Sequence, residues 1–342
     1  MKAIRMVKSG RPLELQNIPI PSAGEKDILV KVRAAGICHS DAHYRAGRSA
    51  MGQLPITLGH EVAGEIEWIG SQVTTLRAGD RVALHYNISC GDCYYCSTGN
   101  EQFCTTVKML GHHVDGGYAE YVAVPARNAI PLPNEISFEE GATLMCASAT
   151  ALHALRKGRV KAGETVAVFG VGGLGLSAIQ LAKAMGAVEV YAVDIKQDKL
   201  ELASEYDAIP IDASRCEAVE ELHRLTRGRG VDVALELIGL QQTMKQTVQS
   251  LGVMGRAVIV GLSREPLEIN PYATLIGHEA EIIGSNDHLL QELPLLVDLA
   301  RRKILDTSRV VSQVLPLDAE RVNRRLDELE HFTSDVRAVI VP

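Results

Sequence analysis

Two thiols, an imidazole and a carboxylate fall in three separate stretches of this chain: "CHSDAH" (38–43), "GHE" (59–61) and "LMCAS" (144–148). If they converge, Cys38, His60 and Cys146 form a two-cysteine, one-histidine ligand set for a divalent metal, with the Glu61 carboxylate beside it. Three protein ligands on zinc leave a fourth position open, and an open position separates a catalytic site from a structural one. Each residue alone has a plainer reading. A lone cysteine is most often a small buried residue, and "GHE" by itself could be a turn around a satisfied histidine.

A second cluster is local. "CGDCYYCSTGNEQFC" places Cys90, Cys93 and Cys96 at C-x-x-C-x-x-C spacing, with Cys104 eight positions after Cys96. Four thiolates on a segment broken by Gly91 and Gly99 can wrap a tetrahedral zinc with no position left for substrate. An iron–sulfur pattern would set its fourth cysteine after three residues and follow it with proline. Here Thr105 follows Cys104 and the gap is longer, so structural zinc is the reading. A nucleic-acid zinc ribbon would need basic surroundings, whereas this lobe carries Asp92 and Glu101.

The third constellation is "GVGGLG" (170–175), which sets Gly170, Gly172 and Gly175 as G-x-G-x-x-G, with Gly173 and Leu174 between them. A glycine-rich turn is weak on its own. This one follows a predicted strand, opens a predicted helix, and precedes Asp194 at the end of the next strand. The first glycine permits the tight turn, the second lets backbone approach a pyrophosphate, and the third permits close helix packing. The helix N-terminus offers oriented N–H groups to phosphate. Asp194 can accept from the adenosine ribose hydroxyls of NAD but would repel a 2′-phosphate. Two like charges about 4 Å apart cost about 4 kcal/mol at an effective dielectric of about 20, so NAD is expected over NADP. Lys199, five residues on, is either a neighbour of that ribose or a solvated helix lysine.

The elements that must position these residues differ between the two halves of the chain. To about residue 145 the sequence reads as all-β, with alternating segments such as "ILVKVRAAG" (28–36) and "HEVAGEIEWIG" (60–70) between Pro/Gly turns. A helix is expected over 139–157. Strands then alternate with helices, at 165–170, 188–194, 208–212, 231–237, 256–261 and 279–284, which implies a doubly wound parallel sheet. The tail reads as helices at 290–305 and 319–331 and a strand at 337–342 that returns to the first domain. The expected division is 1–145, 146–287 and 288–342.

Composition bounds the function. The 342 residues are 46% hydrophobic and 23% charged, with a net charge of −7, which gives no reason to expect nucleic acid or anionic membrane as a partner. Neither a signal-peptide pattern nor an apolar run of transmembrane length is seen, and a cytoplasmic enzyme is expected. Seven cysteines without a secretory signal argue for metal ligation over a disulfide framework.

Together, "AAGICHSDAH" (34–43), "LGHEVAG" (58–64), the four-cysteine lobe, "GVGGLG" and Asp194 resemble the zinc-containing medium-chain alcohol dehydrogenases along the whole chain. That resemblance implies a GroES-like catalytic domain interrupted by a Rossmann domain, with two zinc ions and NAD. Cys38, His60 and Cys146 would hold the catalytic zinc, and Glu61 would be a transient ligand behind it. Zinc would act on an alcohol or carbonyl oxygen as hydride passes to or from the nicotinamide. Ser40 and His43 would relay the proton through the cofactor ribose. His39 would stand near the pyrophosphate and Arg337 at a phosphate. Thr150 would stand beside the nicotinamide, and Val260 to Leu262 at its carboxamide. A homotetramer is implied over a dimer.

Sorbitol and threonine dehydrogenases of the same superfamily are the near alternative, and usually carry glutamate or another oxygen arrangement where this chain has Cys146. A non-catalytic NAD-binding protein is a remote one, since it has no need of an open zinc position. Trp68, or residues near "HYN" (85–87) and "LGHH" (110–113), are expected as pocket walls for a small-molecule substrate.

Overall fold

The computed structural model describes residues 1–331 and 337–342. The chain packs as two compact units: Met1–Ala149 with Leu289–Lys303 and Thr307–Pro342, and Thr150–His288 with Ile304–Asp306. Among the described residues no helix is long and apolar enough to cross a membrane.

The first unit is built on a seven-stranded sheet. Its path runs Ala129–Pro131, Arg81–Leu84, Glu61–Ile69, Asp27–Ile37, Ala338–Val341, Gln313–Pro316, and Tyr121–Pro125 also pairs with Asp27–Ile37. The period-2 pattern works as expected in the long central strand, where Ile28, Val30 and Val32 point into the core. The last strand lies antiparallel to this one, with Val339 opposite Gly36. On the other side Gly36 faces Glu61. Three strands distant in sequence thus meet at one glycine.

The all-β expectation for this half is corrected in two places, at His39–Arg45 and Tyr94–Ser97. His39–Arg45 is a helix, begun where the Asp41 carboxylate reaches back to the N–H of Cys38 (2.9 Å). A shorter helix forms at Tyr94–Ser97, and the helix expected from 139 does begin there, as Phe138–Thr143 under a Ser137/Glu140 capping box. The single helix expected over 139–157 is interrupted: Leu144–Ser148 is a π-helical turn between Phe138–Thr143 and Ala149–Lys157. Such an insertion rotates the side chains it contains relative to a regular helix, and Cys146 sits in its middle.

The second unit is a six-stranded parallel sheet in the order Ile209–Asp212, Glu189–Asp194, Thr165–Phe169, Val231–Glu236, Leu251–Ile259, Glu281–Gly284. This is the doubly wound order that reverses between the first and fourth strands. The central Thr165–Phe169 strand is buried at all five positions, as a strand covered on both faces must be. The fifth strand starts at Leu251, earlier than the expected 256, and takes up the extra length in a register shift opposite Val231 and Val233.

The glycine-rich turn closes between the first strand and the helix Gly173–Ala184. Gly170 has φ +97°, and a Cβ on Gly175 would lie 2.0 Å from the Gly170 carbonyl oxygen. Gly175→Ala is therefore expected to cost about 2–3 kcal/mol through overpacking against backbone. A thermal unfolding midpoint lowered together with NAD affinity would bear this out.

Candidate metal and dinucleotide sites

Three segments deliver the four residues of the first metal group. Cys38 ends the central strand at the cap of the His39–Arg45 helix; His60 and Glu61 stand at the head of Glu61–Ile69; Cys146 comes from the π turn. Their ligand atoms all lie within 4.8 Å of one another. The Cys38 and Cys146 sulfurs are 4.0 Å apart, against about 3.8 Å for two sulfurs at 2.3 Å from one tetrahedral zinc. Glu61 is wholly buried, and among the described residues its Oε2 has no hydrogen-bond partner. A buried carboxylate oxygen left bare beside two thiols and an imidazole is what a cation would satisfy. The donor set fits zinc.

Electrostatics shift Cys38 toward its ligating, deprotonated form and the other three groups toward their protonated ones, so binding a cation there must release protons. A hydrogen bond from Cys146, with the positive charge of Arg337 nearby, holds the Cys38 thiol well below its usual range, while the same pairing and burial push Cys146 up. Burial works against a charged His60, but the Asp41 carboxylate 3.5 Å from its Nδ1 outweighs this and raises it. Burial, offset by Arg337, brings Glu61 up to about 8. Arg337 is itself buried and donates from Nη2 to Glu61 Oε1. The arginine expected at a phosphate also serves Glu61, because the register that sets Val339 opposite Gly36 leaves Arg337 beside that carboxylate.

Three further groups surround this cluster. The Ser40 hydroxyl lies 3.7 Å from the Cys38 sulfur. His39 and His43 stack along one helix face with ring centroids 4.7 Å apart. His43 Nδ1 is 3.5 Å from Arg48, which also pairs with Glu330 (3.1 Å). Burial and then Arg48 hold His43 below the usual histidine value. Among the described residues no hydrogen bond joins Ser40 directly to His43, so a proton passing between them needs an intervening hydroxyl.

Sequence reading missed what holds the ligands in place. Asp41 is wholly buried, and besides the Cys38 N–H its carboxylate accepts from the Tyr118 hydroxyl (2.9 Å). The one available signal was Asp41 at capping-box spacing from Cys38. Of the expected pocket walls, Tyr86 packs edge-on to His60 at 5.1 Å, and Tyr44 to His112 at 4.8 Å. Trp68 is corrected. It stands seven positions after Glu61 on the same strand, about 23 Å along at about 3.3 Å per residue, and is 45% exposed.

The four-cysteine lobe forms the second metal group. Sulfur separations of 3.5 Å (Cys104–Cys90), 3.6 Å (Cys93–Cys96) and 3.9 Å (Cys90–Cys96) bracket the tetrahedral edge of about 3.8 Å. Backbone N–H groups of Cys90 and Cys93 point at the Cys104 and Cys90 sulfurs, both at 3.4 Å. Burial opposes ionisation of Cys104, yet the N–H donors of Cys90 and Thr106 bring its thiol down to about 6.

In the second unit, Asp194 Oδ2 accepts from Val171 N (2.8 Å), inside the glycine turn. Its Oδ1 accepts from Ile195 N and Lys196 N. The carboxylate is thereby fixed at the carboxyl end of its strand, beside Gly170 to Gly175. Lys199 is half-buried on the next helix and Thr150 half-buried near the start of Ala149–Lys157. Val260 and Gly261 donate to the Glu236 carbonyl, and Leu262 beyond them is 75% exposed. Glu236 was not anticipated. Its carboxylate takes the N–H groups of Ile238 and Gly239 and the Thr243 hydroxyl, which closes the turn below Val260.

Comparison with known proteins agrees with this geometry. The chain matches the alcohol dehydrogenase GroES-like domain over residues 24–134 and the zinc-binding dehydrogenase domain over 173–301. It is 37% identical to an NAD-dependent alcohol dehydrogenase of Sulfurisphaera tokodaii over the full length of both. It is 36% identical to an L-threonine 3-dehydrogenase of Symbiobacterium thermophilum over 81% of this chain and 79% of that one. The crystal structure of an alcohol dehydrogenase from Aeropyrum pernix superposes with a TM-score of 0.91 at 36% identity, covering both chains completely.

Replacing one thiol of the exposed lobe separates the two metal groups. Cys104→Ser is expected to lower bound zinc from about two to about one per chain by elemental analysis, with a lower unfolding midpoint. Loss of both ions, or of neither, would contradict two independent centres.

Proposed function

This chain belongs to the zinc-containing medium-chain alcohol dehydrogenases, and on that footing we propose how its residues divide the work of moving a hydride between a primary or secondary alcohol and NAD. The observation that carries the reading is the convergence of two thiols, an imidazole and a bare carboxylate oxygen in one buried place. Cys38, His60 and Cys146 would hold a catalytic zinc, and Cys90, Cys93, Cys96 and Cys104 a structural one. When bound, zinc supplies Lewis acidity toward the substrate oxygen and NAD supplies the hydride acceptor.

The chain's own groups do the rest. Asp41 keeps His60 oriented through Nδ1, the usual task of a carboxylate behind a metal-binding histidine. Glu61, restrained by Arg337, stands ready as an alternative ligand. Ser40 would take the proton released from the alcohol and His43 would pass it to solvent, with an intervening hydroxyl needed between them. The first hydroxyl stays neutral as it relays, and an imidazole with a depressed pKa returns its proton readily.

Cofactor contacts follow from the second unit. The N–H groups of Gly172, Gly173, Leu174 and Gly175 at a helix start receive the pyrophosphate. Asp194 receives the adenosine ribose hydroxyls, with Lys199 beside them. Thr150 and the backbone from Val260 to Leu262 hold the nicotinamide end, and His39 the phosphate side, with Arg337 contributing the donors that Glu61 leaves over.

We place the enzyme in the cytoplasm: six of its seven cysteines stand as unpaired thiols in the two metal groups, which a reducing compartment preserves. We assign it a homotetramer. A closed tetramer of two-fold pairs needs two different self-complementary surfaces, and two are on offer. One is the sheet edge Glu281–Gly284, with Tyr272 and Ile276 exposed nearby in sequence. The other is the exposed aromatic set Tyr94, Tyr95 and Phe103 on the four-cysteine lobe.

NADH formation at alkaline pH tests the function, using primary, secondary, cyclic and benzylic alcohols beside sorbitol and threonine. Turnover of simple alcohols supports the reading; turnover of threonine or polyols alone moves the chain to those branches. Ser40→Ala is expected to lower kcat about 10²- to 10⁴-fold with zinc retained, and unchanged turnover would remove Ser40 from the relay. Asp194→Ala is expected to raise the KM for NAD and to narrow the preference over NADP by about 10²-fold or more, read from the ratio of kcat/KM values.

A further inference from the structure

We infer that Tyr118 is a positioning residue of the buried metal centre: its hydroxyl fixes the Asp41 carboxylate, and through it the His60 imidazole and the backbone of Cys38. The inference rests on the reading that this centre holds zinc.

Asp41 is the hub. It has no exposed surface, and its two oxygens face three groups. Oδ2 accepts from Cys38 N (2.9 Å) and from the Tyr118 hydroxyl (2.9 Å), and Oδ1 lies 3.5 Å from His60 Nδ1. A buried carboxylate held by one N–H donor can still turn about its own axis. A second donor on the same oxygen stops that rotation and leaves Oδ1 aimed at His60. Second-sphere partners of this kind set ring orientation and ligand basicity.

Tyr118 is itself fixed at several points. It is wholly buried, its N–H donates to the Leu58 carbonyl (3.0 Å), and its carbonyl accepts from Ile4 N (2.8 Å). Its ring lies against Gly59, where a Cβ would come within 2.4 Å of Tyr118 Cδ1. The same residue therefore buttresses the turn that delivers His60 and the acid that orients the His60 ring. A phenylalanine would fill this space equally well. Only the hydroxyl separates a positioning role from core filling.

The experiment uses Tyr118→Phe in the full chain. The buried metal is removed with a chelator, and zinc and cobalt are titrated back against a chelating dye, with metal retained by the four-cysteine lobe as internal control. Affinity of the buried centre is expected to fall about 10- to 100-fold, with the lobe unaffected. Affinity within about twofold of wild type overturns the inference, and so does a lowered unfolding midpoint with unchanged affinity. In an Asp41→Asn background the tyrosine substitution is expected to add less than about twofold; a full further loss there means Tyr118 does not act through Asp41. Wild-type protein that binds metal only in the four-cysteine lobe overturns the zinc reading and this inference together. Two ions in wild type with unchanged affinity in Tyr118→Phe overturn this inference alone.

Discussion

The structure of the catalytic unit turns on one constraint: a cluster of ionisable groups is taken out of water, and each charge must find its compensation inside the protein. Glu61 and Arg337 are both buried and meet directly. Removing two charges from water costs several kcal/mol each unless geometry and further hydrogen bonds return it. The pair is made possible by the sheet. Gly36 lies between Glu61 on one neighbouring strand and Val339 on the other, and a Cβ at Gly36 would fall 2.0 Å from Glu61 Oε2. A side chain there would occupy the space the carboxylate needs. The glycine of "AAGICH" is thus required by an ion pair made between residues 276 positions apart.

The same constraint explains why the chain closes on itself. The strand Ala338–Val341 belongs to the core of the first unit, where Ala338 and Ile340 pack with Ile28, Val30 and Leu326. Its hydrogen bonds carry Arg337 to Glu61, so the last element in sequence completes the electrostatics of a site begun at Cys38. Helix Ala319–Glu330 is tied in by a buried cation of its own, Arg45, which pairs with Asp327 and Glu330. Packing and charge compensation are satisfied by the same segments.

Features with a short sequence range were legible. The four-cysteine lobe, the glycine turn and Asp194 each declare their chemistry within about 25 residues, because spacing along one turn or one strand–helix unit fixes geometry. The six strands of the second unit were readable for a related reason: continuous apolar runs such as "VAVF" have few alternatives to a doubly covered sheet. What failed was non-local or sub-helical. The His39–Arg45 helix is set by one Asp41 side chain, and seven residues are too few for a periodic signal. The π turn around Cys146 leaves no compositional trace. The contact of Arg337 with Glu61 went unread, because nothing in its neighbourhood predicts the register that brings the two together. Trp68 was placed by residue type alone, and its distance along the strand overrules that.

The two metal groups show opposite solutions to one electrostatic problem. Four thiolates around Zn²⁺ carry a net charge of about −2, tolerable where Cys90 is exposed and Cys93 and Cys96 half-buried, with backbone N–H groups turned toward sulfur. The Cys38 site is deep, and that surplus would be prohibitive there. Two thiolates and a neutral imidazole bring a divalent ion to about zero net charge. The additional carboxylate of Glu61 arrives with Arg337 as its counter-ion, and Asp41 is dispersed over the Cys38 N–H, the Tyr118 hydroxyl and the His60 ring. Near-neutrality leaves the ion's remaining electrostatic demand for a substrate oxygen rather than for a fourth protein ligand. On this argument the histidine in place of further thiolates follows from depth as much as from catalysis: a buried open site must be close to neutral before anything binds to it.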